Sequence, residues 1–213
     1  MAKAAPDEAD QVNTRARILA AARELFAEQG YTAASISKIA KRAGVLAGSI
    51  YWAFDSKETL FAEALTAAAE EWKHRHQPAA NDLRLPLSGL GEAIRATAAG
   101  FEDGPEFLRL LMVVASEHQA SDPRIREAAV AVRRMWRDSL EQALLLDLGA
   151  YEPAAAQALV RRISRLVLQL LDGVFMSLQI EQTELSAEAL VRDAAEVAQR
   201  ELEVGVAQLP RKA

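Results

Sequence analysis

The chain of 213 residues has no cysteine, so disulfides, thiolate nucleophiles, cysteine-ligated zinc and thiol redox sensing are outside its chemistry. A reducing, cytoplasmic setting is the expectation. It also has only three histidines, His74, His76 and His118. Glu71 and His74 form a Glu-x-x-His pair, but a di-iron carboxylate site in a helical bundle needs a second pair, and His74 and His76 point to different helix faces. A Gly-x-Ser-x-Gly elbow, a phosphate loop and a dinucleotide fingerprint are all missing. The expectation is a non-enzyme with no metal and no cofactor.

Three further absences bear on the fold. Sustained alternating runs of valine, isoleucine and aromatic residues are missing, which argues against sheet architectures. No apolar run reaches the roughly 18 residues of a membrane span, because the greasiest stretch, Leu159 to Ile180, is broken by Arg161, Arg162, Arg165 and Asp172. Residues 1–11 lack the basic start and apolar stretch of a secretory signal and read as a disordered tail.

Against these absences, 51% of the residues are hydrophobic, enough for a substantial core. Sparse Gly and Pro separate long segments of 3.6-residue periodicity, which predicts an all-α protein of about nine helices. They are expected over Val12 to Gln29, Ile36 to Ala43, Ala47 to Ala53, Asp55 or Ser56 to His76, Leu87 to Ala99, Phe107 to Glu117, Pro123 to about Leu148, Pro153 to Gln179 and Ser186 to Val206. Gly30 is the expected stop of the first helix, and Ser121-Asp122-Pro123 the start signal of the seventh. The segment Pro78 to Pro86 is the best linker candidate. The domain division expected is a head of three short helices over 12–57, reaching into the fourth helix, and a larger helical body over 58–213.

Charge is distributed unevenly between these parts. The net charge is -5, yet between Gln11 and Lys57 seven basic residues face three acidic ones. A basic head on an acidic body suits local contact with nucleic acid, since only the docking face must neutralise phosphates. Within the head, Ser35 to Phe54 has the anatomy of a helix-turn-helix. Ser35 caps the first short helix, and Ile36, Ile39 and Ala40 face inward. Gly44 supplies a left-handed turn residue, Val45 plugs the turn, and Ile50 and Phe54 anchor the second short helix. That leaves Ala47, Gly48, Ser49 and Trp52 near the exposed side.

The head resembles the DNA-binding domain of the TetR family of transcriptional repressors. The resemblance runs from Thr14-Arg15-Ala16-Arg17-Ile18-Leu19 through Ala22, Leu25-Phe26, Gly30-Tyr31, Ile39-Ala40, Ala43-Gly44-Val45, Gly48, Tyr51, Phe54 and Ser56-Lys57 to Leu60. It implies that Tyr51 and Lys57 contact backbone phosphates, with Ser35 and the amides at its helix start holding another. Base reading would fall to Lys38 and to Ala47, Gly48, Ser49 and Trp52. These side chains are mostly short, so specificity is expected to lean on methyl contacts, Lys38 and DNA shape. Two residues depart from the family pattern: Leu46 stands where a Ser or Thr cap is usual, and Ala53 where a polar or aromatic residue is common.

The resemblance further implies a body that binds a small effector and shifts two heads between spacings. Phe101, Phe107, Met112, Trp136, Phe175 and Met176 are the bulky candidates for its pocket, with Glu117, His118, Gln169 and Asp172 as polar contacts and a fairly apolar ligand as the default. The last two helices carry apolar stripes wider than one core face. Leu159, Ile163, Leu166, Leu170 and Val174, with Leu190, Ala194 and Val197, are the expected seam of a homodimer built as a four-helix bundle. The expected partners are a palindromic double-stranded operator, the effector and a second copy. A di-iron enzyme or a helical adaptor that uses the head for protein contact stands as the alternative.

Overall fold

The computed structural model describes residues 8–76, 86–98, 101, 105–117, 122–181 and 186–212. Among them are nine α-helices: α1 Glu8–Ala33, α2 Ile36–Ala43, α3 Ala47–Phe54, α4 Lys57–His76, α5 Leu90–Ala98, α6 Glu106–Ser116, α7 Pro123–Leu145, α8 Pro153–Ile180 and α9 Ala187–Ala207. The first turn expected of the fifth helix is instead a 3-10 turn, Leu87–Gly89, entered from Pro86. Most of the expected linker, residues 77–85, lies outside the described residues.

The chain packs as two compact units, Met1–Trp72 with Glu106–Val132, and Lys73–Pro105 with Arg133–Ala213. The first is larger than the head expected over 12–57, and the division falls inside α4 and α7. The reason is burial. Three short helices supply too little apolar surface for a core, and α4 and α6 complete it with Leu60, Phe61, Leu65 and Leu110, all fully buried.

Inside the first unit the α1 stripe of Ile18, Ala21, Ala22, Leu25 and Phe26 is buried as its periodicity demands. Phe26 stacks on Tyr31 at 5.8 Å, and Phe61 meets both rings edge-on at 4.9 and 5.4 Å. Gly30 interrupts α1 with φ 78° and ψ 172°, a conformation essentially reserved for glycine. Tyr31 is thereby turned back under the helix into this cluster.

In the second unit α8 runs along α9, and α5 also packs on α9. Gly205 permits the α8–α9 approach, since a Cβ there would sit 2.3 Å from Leu159 Cδ1. Glu152 caps α8 by accepting from the Ala155 amide at 2.8 Å, with Pro153 at the first helical position. Gln199 of α9 reaches the chain before α5, donating to the Leu87 carbonyl at 2.9 Å and accepting from the Gly91 amide at 3.1 Å. By length and composition α8 is long and apolar enough to cross a membrane. Its arginines and its buried Ser164, whose hydroxyl donates to Glu141 at 2.8 Å, suit a helix in a water-soluble bundle better.

Candidate nucleic-acid interface

The helix-turn-helix forms over the expected residues. Ser35 Oγ accepts from the Lys38 amide at 3.3 Å and caps α2. Gly44 is left-handed at φ 66°, ψ 39°, and its amide closes α2 on the Ala40 and Lys41 carbonyls. The guanidinium of Arg17 on α1 then donates to the carbonyls of Ala43 and Gly44 at 2.6 and 3.1 Å. This side-chain clamp on the turn had no signal in the sequence, because its partners are backbone atoms 26 and 27 residues away.

α3 is anchored by buried Ile50 and Phe54, with Arg15 stacked over the Phe54 ring at 4.4 Å. Leu46 occupies the N-cap with extended backbone and makes no side-chain capping bond, yet α3 begins at Ala47 as expected. The helix ends at Asp55, a non-glycine residue at φ 56° whose amide donates to the Tyr51 carbonyl at 3.1 Å. Ser56, rather than Asp55, caps α4, its hydroxyl accepting from the Thr59 amide at 3.1 Å.

Of the residues expected to touch DNA, Ser35, Ala47, Gly48, Tyr51 and Trp52 are exposed together with Lys38, while Ser49 and Lys57 are half-buried. Tyr51 is 54% and Trp52 71% accessible. The two lysines are committed elsewhere in the free chain. Lys38 Nζ donates to Gln29 Oε1 at 2.8 Å and to the Ala33 carbonyl at 2.9 Å, tying α2 to the end of α1. Lys57 Nζ donates to the Tyr31 carbonyl at 2.5 Å and lies 4.2 Å from the Tyr31 ring centre, and burial lowers its pKa. This seat uses one of the three ammonium donors of Lys57.

A carboxylate network holds the underside of the head. Glu117, at the end of α6, accepts from the Tyr31 and Thr32 amides at 2.9 Å each and from the Thr32 hydroxyl at 2.7 Å. Burial opposes its ionisation, but the bonds from Thr32 and Tyr31 prevail and its pKa is lowered. Glu58 accepts from Tyr31 Oη at 2.7 Å, and that bond lowers its pKa. Arg124 of α7 donates to Ser56 Oγ at 3.1 Å and lies 3.9 Å from Glu58. Arg23 joins α1 to Glu71 and Glu106 at 2.7 and 2.5 Å.

The residues expected to line an effector pocket are divided between the two units. Glu117 is bound to the Gly30–Thr32 turn instead, because its carboxylate satisfies amides left open where α1 breaks. Phe107 meets Trp72 at 5.9 Å in the first unit, where Met112 is half-buried. In the second unit Phe101 and Phe175 meet edge-on at 6.2 Å, and Trp136 is half-buried. Asp172 is ion-paired with Arg133 at 2.5 Å, whereas Gln169 and Met176 lie on the outer face of α8. His118 lies outside the described residues.

The expected dimer stripe divides by burial. Leu159, Ile163, Val174 and Ala194 are buried within the chain's own second unit, and Leu166, Leu170 and Leu190 are half-buried; only Val197 among the expected set is exposed. Side chains already covered by their own chain offer no surface to a second one. One register of α8 runs outward through exposed Arg162, half-buried Leu166 and exposed Gln169, Gly173, Met176 and Ile180, with Met176 45% and Ile180 72% accessible.

A family model described as bacterial regulatory proteins, tetR family, matches residues 18–64. The HTH-type transcriptional repressor KstR2 of Mycobacterium tuberculosis is 32% identical over 163 residues, spanning 74% of this chain and 79% of the relative. A TetR-family regulator structure from Mesorhizobium loti superposes with a TM-score of 0.72 at 21% identity, covering 91% of this chain and 97% of the other. NalD of Pseudomonas aeruginosa, the secondary repressor of the MexAB-OprM multidrug efflux pump, gives 0.63 at 25% identity over 97% and 100%. The match spans the helix-turn-helix and its supporting helices as well as most of the body, and on that basis the chain belongs to the tetR family of DNA-binding transcriptional regulators.

Proposed function

We propose that this regulator is a cytoplasmic homodimeric repressor whose two heads hold a palindromic operator and are released from it by a small, fairly apolar effector. The observation that carries the reading is the exposed face of α3, where Tyr51 and Trp52 stand in solvent beside a turn locked by left-handed Gly44. Basic residues around that face, including exposed Lys41, supply the phosphate attraction. Repression is supported by the similarity to KstR2 and NalD, both of them repressors. The Phe101–Phe175 ring contact in the second unit supports an apolar effector site in the body.

Homodimerisation is supported by the outer register of α8. Arg162, Leu166, Gln169, Gly173, Met176 and Ile180 follow alternating steps of four and three, the spacing of a helix-packing seam. Val197 and Val204 of α9, each 47% accessible, extend the apolar surface. Arg162 and Glu201, paired at 3.0 Å, rim a groove that Leu166, Gln169 and Val197 also line. Two-fold pairing of such faces would present two heads to two half-sites.

A gel-shift titration of the full chain against its own promoter region, repeated across salt concentrations, tests the reading. Affinity that falls steeply with salt, and that survives excess nonspecific DNA, is expected. Absence of binding, or binding indifferent to salt, overturns it and favours the adaptor alternative.

A further inference from the structure

A groove of about 410 Å³ opens within the first unit between α1, α4 and α7, in the size range of small-molecule sites. Its apolar lining is made of short side chains, Ala62, Thr66 and Ala67 of α4 and Ala128 of α7, together with Leu19 of α1. All five are half-buried. Thr66 adds no spare donor, since its hydroxyl donates back to the Ala62 carbonyl at 3.0 Å. None of these residues belongs to the helix-turn-helix or to the second unit.

Four charged side chains line the same groove, and three of them are committed to partners. Arg15 and Glu63 pair with each other. Arg124 donates to Ser56 Oγ at 3.1 Å and pairs with Asp122 at 3.1 Å. Glu70 is exposed and, among the described residues, has no ion-pair partner. It follows Glu63 by two helical turns, so both carboxylates share one face of α4, about 10 Å apart along its axis. The apolar lining thus runs between a spare carboxylate at one end and an ion pair at the other. An ammonium group on a compact hydrocarbon body matches that pattern, whereas an anion would meet repulsion at Glu70.

The ion-pair end links the groove to the helix-turn-helix. Arg15 stacks over the Phe54 ring at 4.4 Å, and Phe54 is a buried anchor of α3. A cation in the groove competes with Arg15 for Glu63, and so disturbs the side chain that ties α3 to α4. Resting on the DNA-binding reading for this consequence alone, we propose that the groove is an effector site for small organic ammonium ions, separate from any site in the body, bound through Glu70 and acting on α3 through Arg15.

The test titrates the full chain with benzylammonium chloride at neutral pH and fixed ionic strength, following the methyl NMR signals of Ala62 and Ala67. Benzyl alcohol and benzoate, of similar size, serve as the neutral and anionic controls. Saturable shifts at both alanines are expected, with benzylammonium binding about two- to fivefold more tightly than benzyl alcohol, the range of an exposed ion pair. Glu70→Gln should erase that preference without lowering the melting temperature, and Ala67→Leu, which fills the groove, should abolish the shift at Ala62. Saturating benzylammonium should weaken binding to promoter-region DNA about fivefold or more relative to equal sodium chloride, a response lost in Arg15→Gln. The site is overturned if no saturable shift appears, if either control binds as tightly as benzylammonium, or if Glu70→Gln keeps the preference. Binding that leaves DNA affinity unchanged overturns the coupling to α3. A chain that binds benzylammonium at these alanines but no DNA overturns the DNA-binding reading and the coupling, while the site stands.

Discussion

The two packing units use apolar surface in opposite ways. In the first, Phe26, Tyr31 and Phe61 close on one another within the chain, and the most exposed large apolar side chains at the helix-turn-helix are Leu46, at the N-cap of α3, and Trp52 within it. In the second, α8 and α9 bury one stripe between themselves and leave a second, with Met176, Ile180, Val197 and Val204, in solvent. Hydrophobic burial is blind to which chain supplies the cover. The proposed homodimer accounts for the apolar surface that the second unit leaves uncovered, as the proposed DNA contact accounts for that of the first.

The sharpest way to break this contrast is to substitute in both units and compare fold with assembly. Phe61→Ala, at the centre of the aromatic cluster, should lower stability by about 3–5 kcal/mol in chemical denaturation. Val174→Asp should cost about as much or more, because it buries a carboxylate with no partner in a covered stripe. Ile180→Asp or Met176→Asp should leave the circular-dichroism spectrum intact and shift sedimentation from dimer to monomer. A dimer that withstands both exposed substitutions, or a chain that folds normally with Val174→Asp, would reverse the assignment of the two stripes.

A smaller effect is expected at the break in α1. Gly30→Ala should cost about 1–3 kcal/mol for its backbone conformation, and its Cβ would also fall 2.2 Å from Glu117 Oε1. Glu117→Gln should cost about 1 kcal/mol through weakened hydrogen bonds, and the pair of substitutions should be less than additive in thermal melts.

The pH dependence follows from the same residues. Glu117 and Glu58 are held below their ordinary value of 4.5 in the folded chain. Their contribution is present above that value and is lost as pH falls through the lowered pKa. Stability should thus drop from about pH 4.5 downward, and less steeply in Glu117→Gln. Smallest of all, Leu46→Ser should raise stability by about 0.5–1 kcal/mol by restoring a capping oxygen to α3, a gain read by thermal melting.

Much of the first unit was legible because its signals are local. Ser35 as a cap, Gly44 as a left-handed turn and Ile50 with Phe54 as anchors each act within a few residues, and the structure places all of them as the pattern required. The roles of Lys38, Lys57 and Glu117 were not legible. Exposed lysines on a basic head look alike in sequence, and nothing local tells that one is seated on the Tyr31 carbonyl. Glu117 meets Thr32 across 85 positions of chain, a distance no periodicity bridges.

The sequence by itself determined the helices, the turn that orients α3 and the family, though not every helix end, because caps, breakers and the 3.6-residue period are properties of short stretches. Tertiary structure alone decided which side of α8 faces out. Leu159, Ile163 and Val174 looked as suitable for a partner chain as Leu166, Met176 and Ile180, since periodicity reports that a face is apolar and not what covers it. The choice was made by α9, whose Gly205 lets Leu159 in and so turns the other stripe to solvent.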